Sequence, residues 1–262
     1  MPKYFCVSDI HGFYDELRHA LDAVGFDPTN EEHVLVSCGD HFDRGEKPLQ
    51  VMQYLQSLPR KVLIRGNHED LLLDMLQRRY PYGYDHQNGT VNTVFALTGL
   101  PGLSDYFEDA CTKAQIRVKT FIDQMVDYFE TANHIFVHAF VPVVCFDGFP
   151  AYYAHGRRFE ENPDWRNADA EAWEQARWLN PMQVVASGIR PDKTVVAGHW
   201  HSSYGHSRAS GTPEFGEGAD HTPFYTDGLI AIDACTAASG MVNVVVIEDE
   251  GLSEKSFGGG TE

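Results

Sequence analysis

At 262 residues the chain can bury a substantial core, and one large domain suits that length better than two. Its 43% hydrophobic and 22% charged residues are those of an ordinary globular protein, and no apolar run approaches a membrane span. A net charge of −18, from 20 basic against 38 acidic side chains, argues against nucleic acid as the main partner.

The chain runs from Met1 straight into a β-rich stretch at 4–8, which predicts no secretory leader. Residues 14–24 place Leu17, Ala20, Leu21 and Val24 at helical spacing. A strand at 33–38, a helix at 48–58, a strand at 61–64 and a helix at 70–77 continue the alternation. Residues 80–134 read as mostly helical, with loops at 80–84 and 87–89 and an amphipathic helix at 114–129. Strand-like runs return at 135–138, 194–197, 229–233 and 242–247, several of them almost continuously apolar, as strands buried on both faces are.

Two long stretches interrupt this pattern. Residues 142–192 carry Pro142, Pro150, Pro163, Pro181 and Pro191 among aromatic and acidic residues, and are expected to leave the core as a substrate cap. Residues 202–228 read as loop, and 251–262 as a tail that frays at Gly258-Gly259-Gly260. The expected organisation is a single α/β domain over 1–250, with functional loops at the strand ends. Five cysteines without a Cys-x-x-Cys pair suit a reducing, cytoplasmic setting, with Cys6 and Cys38 as core residues.

Three blocks each follow a strand-like run: Ser8-Asp9-Ile10-His11-Gly12, Gly39-Asp40-His41-Phe42-Asp43-Arg44-Gly45 and Gly66-Asn67-His68-Glu69. Their carboxylate, imidazole and carboxamide donors, with no thiolate, suit two divalent ions, Mn²⁺ first and Fe or Zn²⁺ next. Asp9 and His11, two apart, leave a strand on the same face and reach one ion if the extended backbone persists. Asp40 can bridge to a second ion held by Asn67, with His138 and His199 completing the set. A water between the ions then becomes the nucleophile. His68 is the candidate general acid, Asp43 its tautomer-fixing partner, and Arg44 and Arg65 can fork onto phosphate oxygens.

These blocks resemble those of the calcineurin-like metallophosphoesterases, in the phosphoprotein-phosphatase branch that holds bacterial and phage Ser/Thr phosphatases and symmetrical diadenosine-tetraphosphate hydrolases. The matching residues are Asp9 to Gly12, Gly39 to Gly45 and Gly66 to Glu69. The resemblance implies an α/β/β/α sandwich of two mixed sheets flanked by helices, with a dinuclear metal site at the strand ends. It implies Asp9, His11 and Asp40 on one ion, and Asp40, Asn67, His138 and His199 on the other, with His68 and Asp43 as the acid pair. Ser8 and His41 depart from the branch. So does His201, whose Gly-His-x-His setting resembles phosphodiesterases, where the second histidine binds the first metal. A further phosphate-binding arginine is expected, with Arg177 and Arg190 both candidates.

Glu69 reads as a helix N-terminal carboxylate. His19, His33, His86, His134, His155, His206 and His221 lie outside any block and are expected bystanders. Tyr152, Tyr153, Trp165, Trp173 and Trp178 suit base stacking and cap packing equally. The expected function is hydrolysis of phosphomonoesters on serine or threonine of a phosphoprotein. A nucleotide anhydride such as diadenosine tetraphosphate is the alternative substrate. A phosphodiesterase gains only from His201, and a non-catalytic binding module predicts a lost ligand where none is lost.

Overall fold

The computed structural model describes residues 1–145, 159–251 and 257–258. The first half alternates β1 (Lys3–Val7), α1 (Tyr14–Ala23), β2 (His33–Cys38), α2 (Pro48–Ser57), β3 (Lys61–Ile64) and α3 (Asn67–Arg78). Three helices follow: α4 (Gly83–Asn88), α5 (Thr90–Thr98) and α6 (Phe107–Ile122). The second half begins with the hairpin β4 (Tyr128–Glu130) and β5 (His134–Val137) and a small pair, β6 (Val144–Cys145) with β7 (Phe159–Glu160). After α7 (Ala170–Ala176) and α8 (Pro181–Ala186) come β8 (Thr194–Ala197), α9 (Ser202–Ser210), β9 (Phe224–Thr226) and β10 (Leu229–Ala231). The chain closes with α10 (Thr236–Ser239), β11 (Val245–Glu248) and β12 (Phe257–Gly258).

One sheet runs β11-β1-β2-β3, with β1, β2 and β3 parallel and β11 antiparallel to β1. The other runs β12-β4-β5-β8-β10-β9, and its central β5, β8 and β10 are parallel. Side chains alternate along each strand between two apolar layers. Tyr4, Cys6, Val36, Cys38, Val62 and Ile64 meet Phe129, Phe136, Val196 and Ile232 between the sheets. Phe5, Val7, Leu35 and Leu63 point the other way, onto helices of the first half. Ile135, Val137, Val195, Ala197, Leu229 and Ala231 do the same in the second half. The result is an α/β/β/α sandwich whose strands carry apolar residues on both faces. Cys6, Cys38, Cys111 and Cys235 form no disulfide, and among the described residues no helix is long and apolar enough to cross a membrane.

Several boundaries differ from the sequence expectation. The helix expected at 114–129 is Phe107–Ile122, and Tyr128–Glu130 is a strand because it pairs with Ile135–Val137. Helical spacing in one segment carries no record of that pairing. Residues 202–228 hold α9 and β9 as well as loop. Gly258 pairs with Tyr128, whereas Gly259 and Gly260 lie outside the described residues. Of the expected cap, residues 146–158, with Pro150, Tyr152, Tyr153 and His155, also lie outside them. Trp165 and Trp173 are buried, their rings 5.0 and 5.3 Å from that of Tyr128, so they pack the outer layer of the second sheet.

The β4–β5 turn is tied to the end of β11, the antiparallel partner of β1, by Asp249. Its buried carboxylate accepts hydrogen bonds from Thr131 Oγ1 (2.7 Å), Asn133 N (2.9 Å), Asn133 Nδ2 (2.8 Å) and His134 Nδ1 (2.8 Å). Burial alone would raise its pKa, but the Thr131 and His134 bonds, then those of Asn133, hold it well below the usual carboxylate range. A depressed native pKa means stability that is present above the unfolded value of about 4 and lost as pH falls through the native one. Asp249→Ala is expected to cost about 2–3 kcal/mol at pH 7. In urea melts the gap from the parent should narrow below about pH 4.

Candidate metal centre

The C-terminal ends of the parallel strands of both sheets meet at one place. Asp9 and His11 follow β1, Asp40 and Asp43 follow β2, Asn67 follows β3, His138 follows β5, His199 follows β8 and Asp233 follows β10. The first two loops are laced together by Asp9 N to Gly39 O (3.2 Å), His11 N to Asp40 O (2.9 Å) and Gly45 N to His11 O (2.7 Å). The two sheets are joined at the site by His138 Nδ1 to Cys38 O (2.8 Å), His199 N to Asp9 Oδ2 (2.8 Å) and Thr236 Oγ1 to Asp9 O (2.9 Å).

Asp9 and His11 converge by a different route from the one their spacing suggests. The strand ends at Val7, and both residues turn left-handed, with φ of 51° and 49°. Asp40, Asp43, Arg44, His199 and Cys235 also have positive φ, so among the described non-glycine residues only Arg79 adopts such a backbone away from the site. Strained backbone of this kind persists only where its surroundings over-determine it. Glu69 is one such constraint. Fully buried in the first turn of α3, it accepts from Gly66 N (2.8 Å), Asp40 N (3.0 Å) and His41 N (2.9 Å), and faces His41 Nδ1 at 3.2 Å. His41, the departure from the branch pattern, is thus Glu69's buried partner, and its Nε2 reaches Ser37 Oγ at 2.8 Å.

Ligand atoms of His11, Asp40 and His68 lie within 4.8 Å of one another, as do those of Asp40, His138 and His199. Asp40 belongs to both groups. Asp9 Oδ1 stands 3.9 Å and Asp40 Oδ2 3.6 Å from His11 Nε2. His11 faces the Phe42 carbonyl through Nδ1 (2.8 Å), while its buried Nε2 has no hydrogen-bond partner; His199 Nε2 is likewise orphaned. With His138 Nδ1–H given to Cys38, its Nε2 lone pair confronts Asn67 Oδ1 at 2.8 Å, and two facing acceptors call for a cation. The donor set therefore fits divalent metal ions.

The charges agree. Burial, then the charge of Asp40, pushes the Asp9 carboxyl up to about 6. Burial likewise pushes Asp40 up to about 6, against the opposing pull of His68. Burial lowers His138, and lowers His11 and His199 well below the ordinary imidazole value, leaving neutral rings with lone pairs to offer. Burial would lower His68 too, but the Asp40 and Asp43 carboxylates outweigh it and raise its pKa. His68 Nδ1 lies 2.7 Å from Asp43 Oδ2, which leaves Nε2 facing Arg44 Nη2 at 3.3 Å.

Not every expected residue converges. Arg65 turns to Asp70 (2.6 Å). Arg177 is buried between Asp70 and Asp127, at 2.7 Å from each. Arg190 is held by the carbonyls of Val185 and Ile189. Of the four arginines, only Arg44 lines the cleft of about 320 Å³ that contains Asp40, Asn67 and His68. His201 is on the cleft wall but outside both ligand groups, with Nδ1 on Ser203 Oγ (2.9 Å) and Nε2 3.4 Å from Glu214. Burial, then His221, lowers it to about 4, so it meets Glu214 as a neutral ring.

Sequence reasoning missed Asp233 and Cys235, both on the cleft wall. Asp233 is buried, accepts from Cys235 N (2.6 Å), and is pushed well above the ordinary carboxyl range by burial, then Asp9. The available signal was a carboxylate at the end of the apolar run 229–232; Asp233 lies two residues past β10, as Asp9 and Asp40 lie two residues past β1 and β2.

The family model described as calcineurin-like phosphoesterase matches residues 2–222. The chain belongs to the calcineurin-like phosphoesterase family. A symmetrical bis(5'-nucleosyl)-tetraphosphatase of Aeromonas salmonicida is 46% identical over 68 residues, 26% of this chain and 24% of that protein. The chain thus matches about a quarter of that relative's length. Serine/threonine-protein phosphatase 2 of Salmonella typhimurium is 24% identical over 198 residues, 76% of this chain and 79% of that one. The cold-active protein-tyrosine phosphatase of a psychrophilic Shewanella shares the fold, with a TM-score of 0.51 at 14% identity over 95% of this chain and 76% of that one.

The calcineurin-like site leaves no room for side chains at its close approaches. A Cβ on Gly198 would collide with Ser8 Oγ and the Asp9 carboxylate. Gly198→Ala should therefore lower the metal content of the purified phosphoesterase several-fold, measured by plasma mass spectrometry, with its circular dichroism unchanged.

Proposed function

We propose that this metallophosphoesterase hydrolyses phosphomonoesters of the Ser/Thr protein phosphatase kind, in a cytoplasmic setting. The observation that carries this proposal is the 2.7 Å contact between His68 and Asp43 at the floor of the cleft. An alkoxide leaves phosphorus only with a proton donor at hand, whereas a phosphate leaving group needs little protonation. A buried imidazole with its Nδ1–H fixed on a carboxylate is built for the harder case.

Asp9, His11 and Asp40 would hold one ion, and Asp40, Asn67, His138 and His199 the other. When bound, two divalent ions polarise the phosphoryl group and activate a water for attack. The protein's own groups do the rest. Arg44 orients the phosphate through its guanidinium. Asp43 keeps the His68 proton on Nδ1 in the resting tautomer and stabilises the imidazolium that donates from Nε2. Asp233, whose carboxyl is pushed above the ordinary range by burial and then by Asp9, lines the same cleft. Surface charge of −18 does not oppose an anionic substrate, because screening confines it to about 8–10 Å.

Hydrolysis of a dinucleoside polyphosphate is the second possibility. Trp178 and Trp200 line the cleft, and Trp178 stands edge-on to His199 at 5.9 Å, so a nucleobase could stack beside the phosphate. The similarity to the Aeromonas tetraphosphatase favours the same substrate.

Turnover of a phosphothreonine peptide beside diadenosine tetraphosphate, with Mn²⁺ supplied, separates the two. The expected outcome is peptide preference; nucleotide preference overturns the phosphomonoesterase proposal. His68→Ala should lose about 10²–10⁴-fold on the peptide with metal content retained. Asp40→Ala should lose both activity and metal. Undiminished peptide hydrolysis by His68→Ala would remove the general-acid role.

A further inference from the structure

We propose that Thr90 and Thr93, on the first turns of α5, are positioning residues for proton transfer. They lock the Asp43 carboxylate in the orientation that presents His68 Nε2 to the leaving oxygen. The inference rests on His68 acting as general acid.

The contacts are specific. Thr90 Oγ1 donates to Asp43 Oδ2 at 2.8 Å, and Thr93 Oγ1 donates to Oδ1 at 2.9 Å. Thr93 Oγ1 also accepts the Asp43 backbone N–H at 3.0 Å, so one hydroxyl holds both ends of the residue. Oδ2, which Thr90 holds, is the same oxygen that meets His68 Nδ1 at 2.7 Å. Asp43, Thr90 and Thr93 are all buried, at 1% exposure or less, so no water takes over these bonds.

The backbone needs the same clamp. Asp43 and Arg44 have φ of 71° and 62°, a region disfavoured for side-chain-bearing residues. Arg44 N donates to Asn88 O at 3.1 Å, and a Cβ on Gly89 would press on Arg44 N at 2.9 Å. The Gly89 junction between α4 and α5 therefore lies directly against this loop.

A purely structural role would look different. Thr98, in the last turn of α5, satisfies its hydroxyl on the carbonyls of Val94 and Phe95, both at 3.1 Å, as helical threonines commonly do. Thr90 and Thr93 give theirs to the carboxylate instead. Without them the buried carboxylate is free to pivot about Cβ–Cγ, and the imidazole it supports loses its aim. Misplacement of a proton donor by a fraction of an ångström slows only steps that need the proton.

The test compares phenyl phosphate, a poor leaving group, with 2,4-dinitrophenyl phosphate, which leaves without a proton. Metal-loaded Thr90→Val and Thr93→Val should each lose about tenfold in kcat on phenyl phosphate. KM and turnover of dinitrophenyl phosphate should stay within about twofold, and Thr90→Ser and Thr93→Ser should recover most of the loss. In an Asp43→Ala background Thr93→Val should have almost no further effect, because both act through one carboxylate. That background also removes the charge that valine would strand, which keeps the comparison available should a single valine variant fail to fold.

Equal losses on both substrates, no loss on phenyl phosphate, or an undiminished loss in the Asp43→Ala background each overturn the proposal. His68→Ala, assayed in parallel, separates the causes. If it too loses both substrates equally, the general-acid role falls and the positioning role with it. If it shows the leaving-group dependence and the threonine variants do not, only the positioning role falls.

Discussion

Three carboxylates of one sign are buried together at the centre of this protein. Asp9, Asp40 and Asp233 come from loops after β1, β2 and β10 and are almost inaccessible to solvent. Taking like charges out of water is costly, and groups so placed either take up protons or gather positive charge. Both responses are visible. The carboxyls are driven upward in pKa, and neutral imidazoles, backbone N–H groups and the Arg44 guanidinium are turned toward them. The orphaned nitrogens of His11 and His199 belong to the same arrangement, since a lone pair buried without a partner makes sense beside a cation.

The fold supplies this convergence through strand direction. Parallel strands carry their following loops to one end, and two parallel triplets stacked face to face bring six loops to one seam. The loops then hold conformations that an isolated chain would avoid. Left-handed backbone at seven non-glycine positions is retained by inter-loop hydrogen bonds and by Glu69, which fastens the Asp40 loop to the start of α3. Glycine enters where another atom already occupies the space of a Cβ, as at Gly198 against Ser8 and Asp9.

Electrostatics here is local. The chain as a whole is strongly acidic, yet the cleft offers Arg44 and a donor set for metal. Two arginines that the sequence offered for the phosphate are committed elsewhere. Arg65 and Arg177 both pair with Asp70, and Arg177 also with Asp127, joining α3, the entry to β4 and the end of α7 into one half-buried ionic group. Such a group fixes the register of elements around the cleft more than it adds stability, because desolvation offsets much of the attraction.

The sequence by itself determined seven of the strands, β1, β2, β3, β5, β8, β10 and β11, and the identities of most residues at the centre. Both are local properties: an apolar run long enough for a strand, followed within a few residues by an oxygen or nitrogen donor and a glycine. The tertiary structure alone decided where long side chains point. Arg65, Arg177 and His201 found carboxylates or a hydroxyl nearer than the candidate metal ligands, and that competition involves residues up to 107 positions away in sequence. Only the fold, too, brought α5's threonines onto Asp43, made Trp165 and Trp173 core residues, and added Asp233 to the buried carboxylates. A side chain's chemistry is written in the residue, but its direction is settled by whichever partner the packed chain places closest.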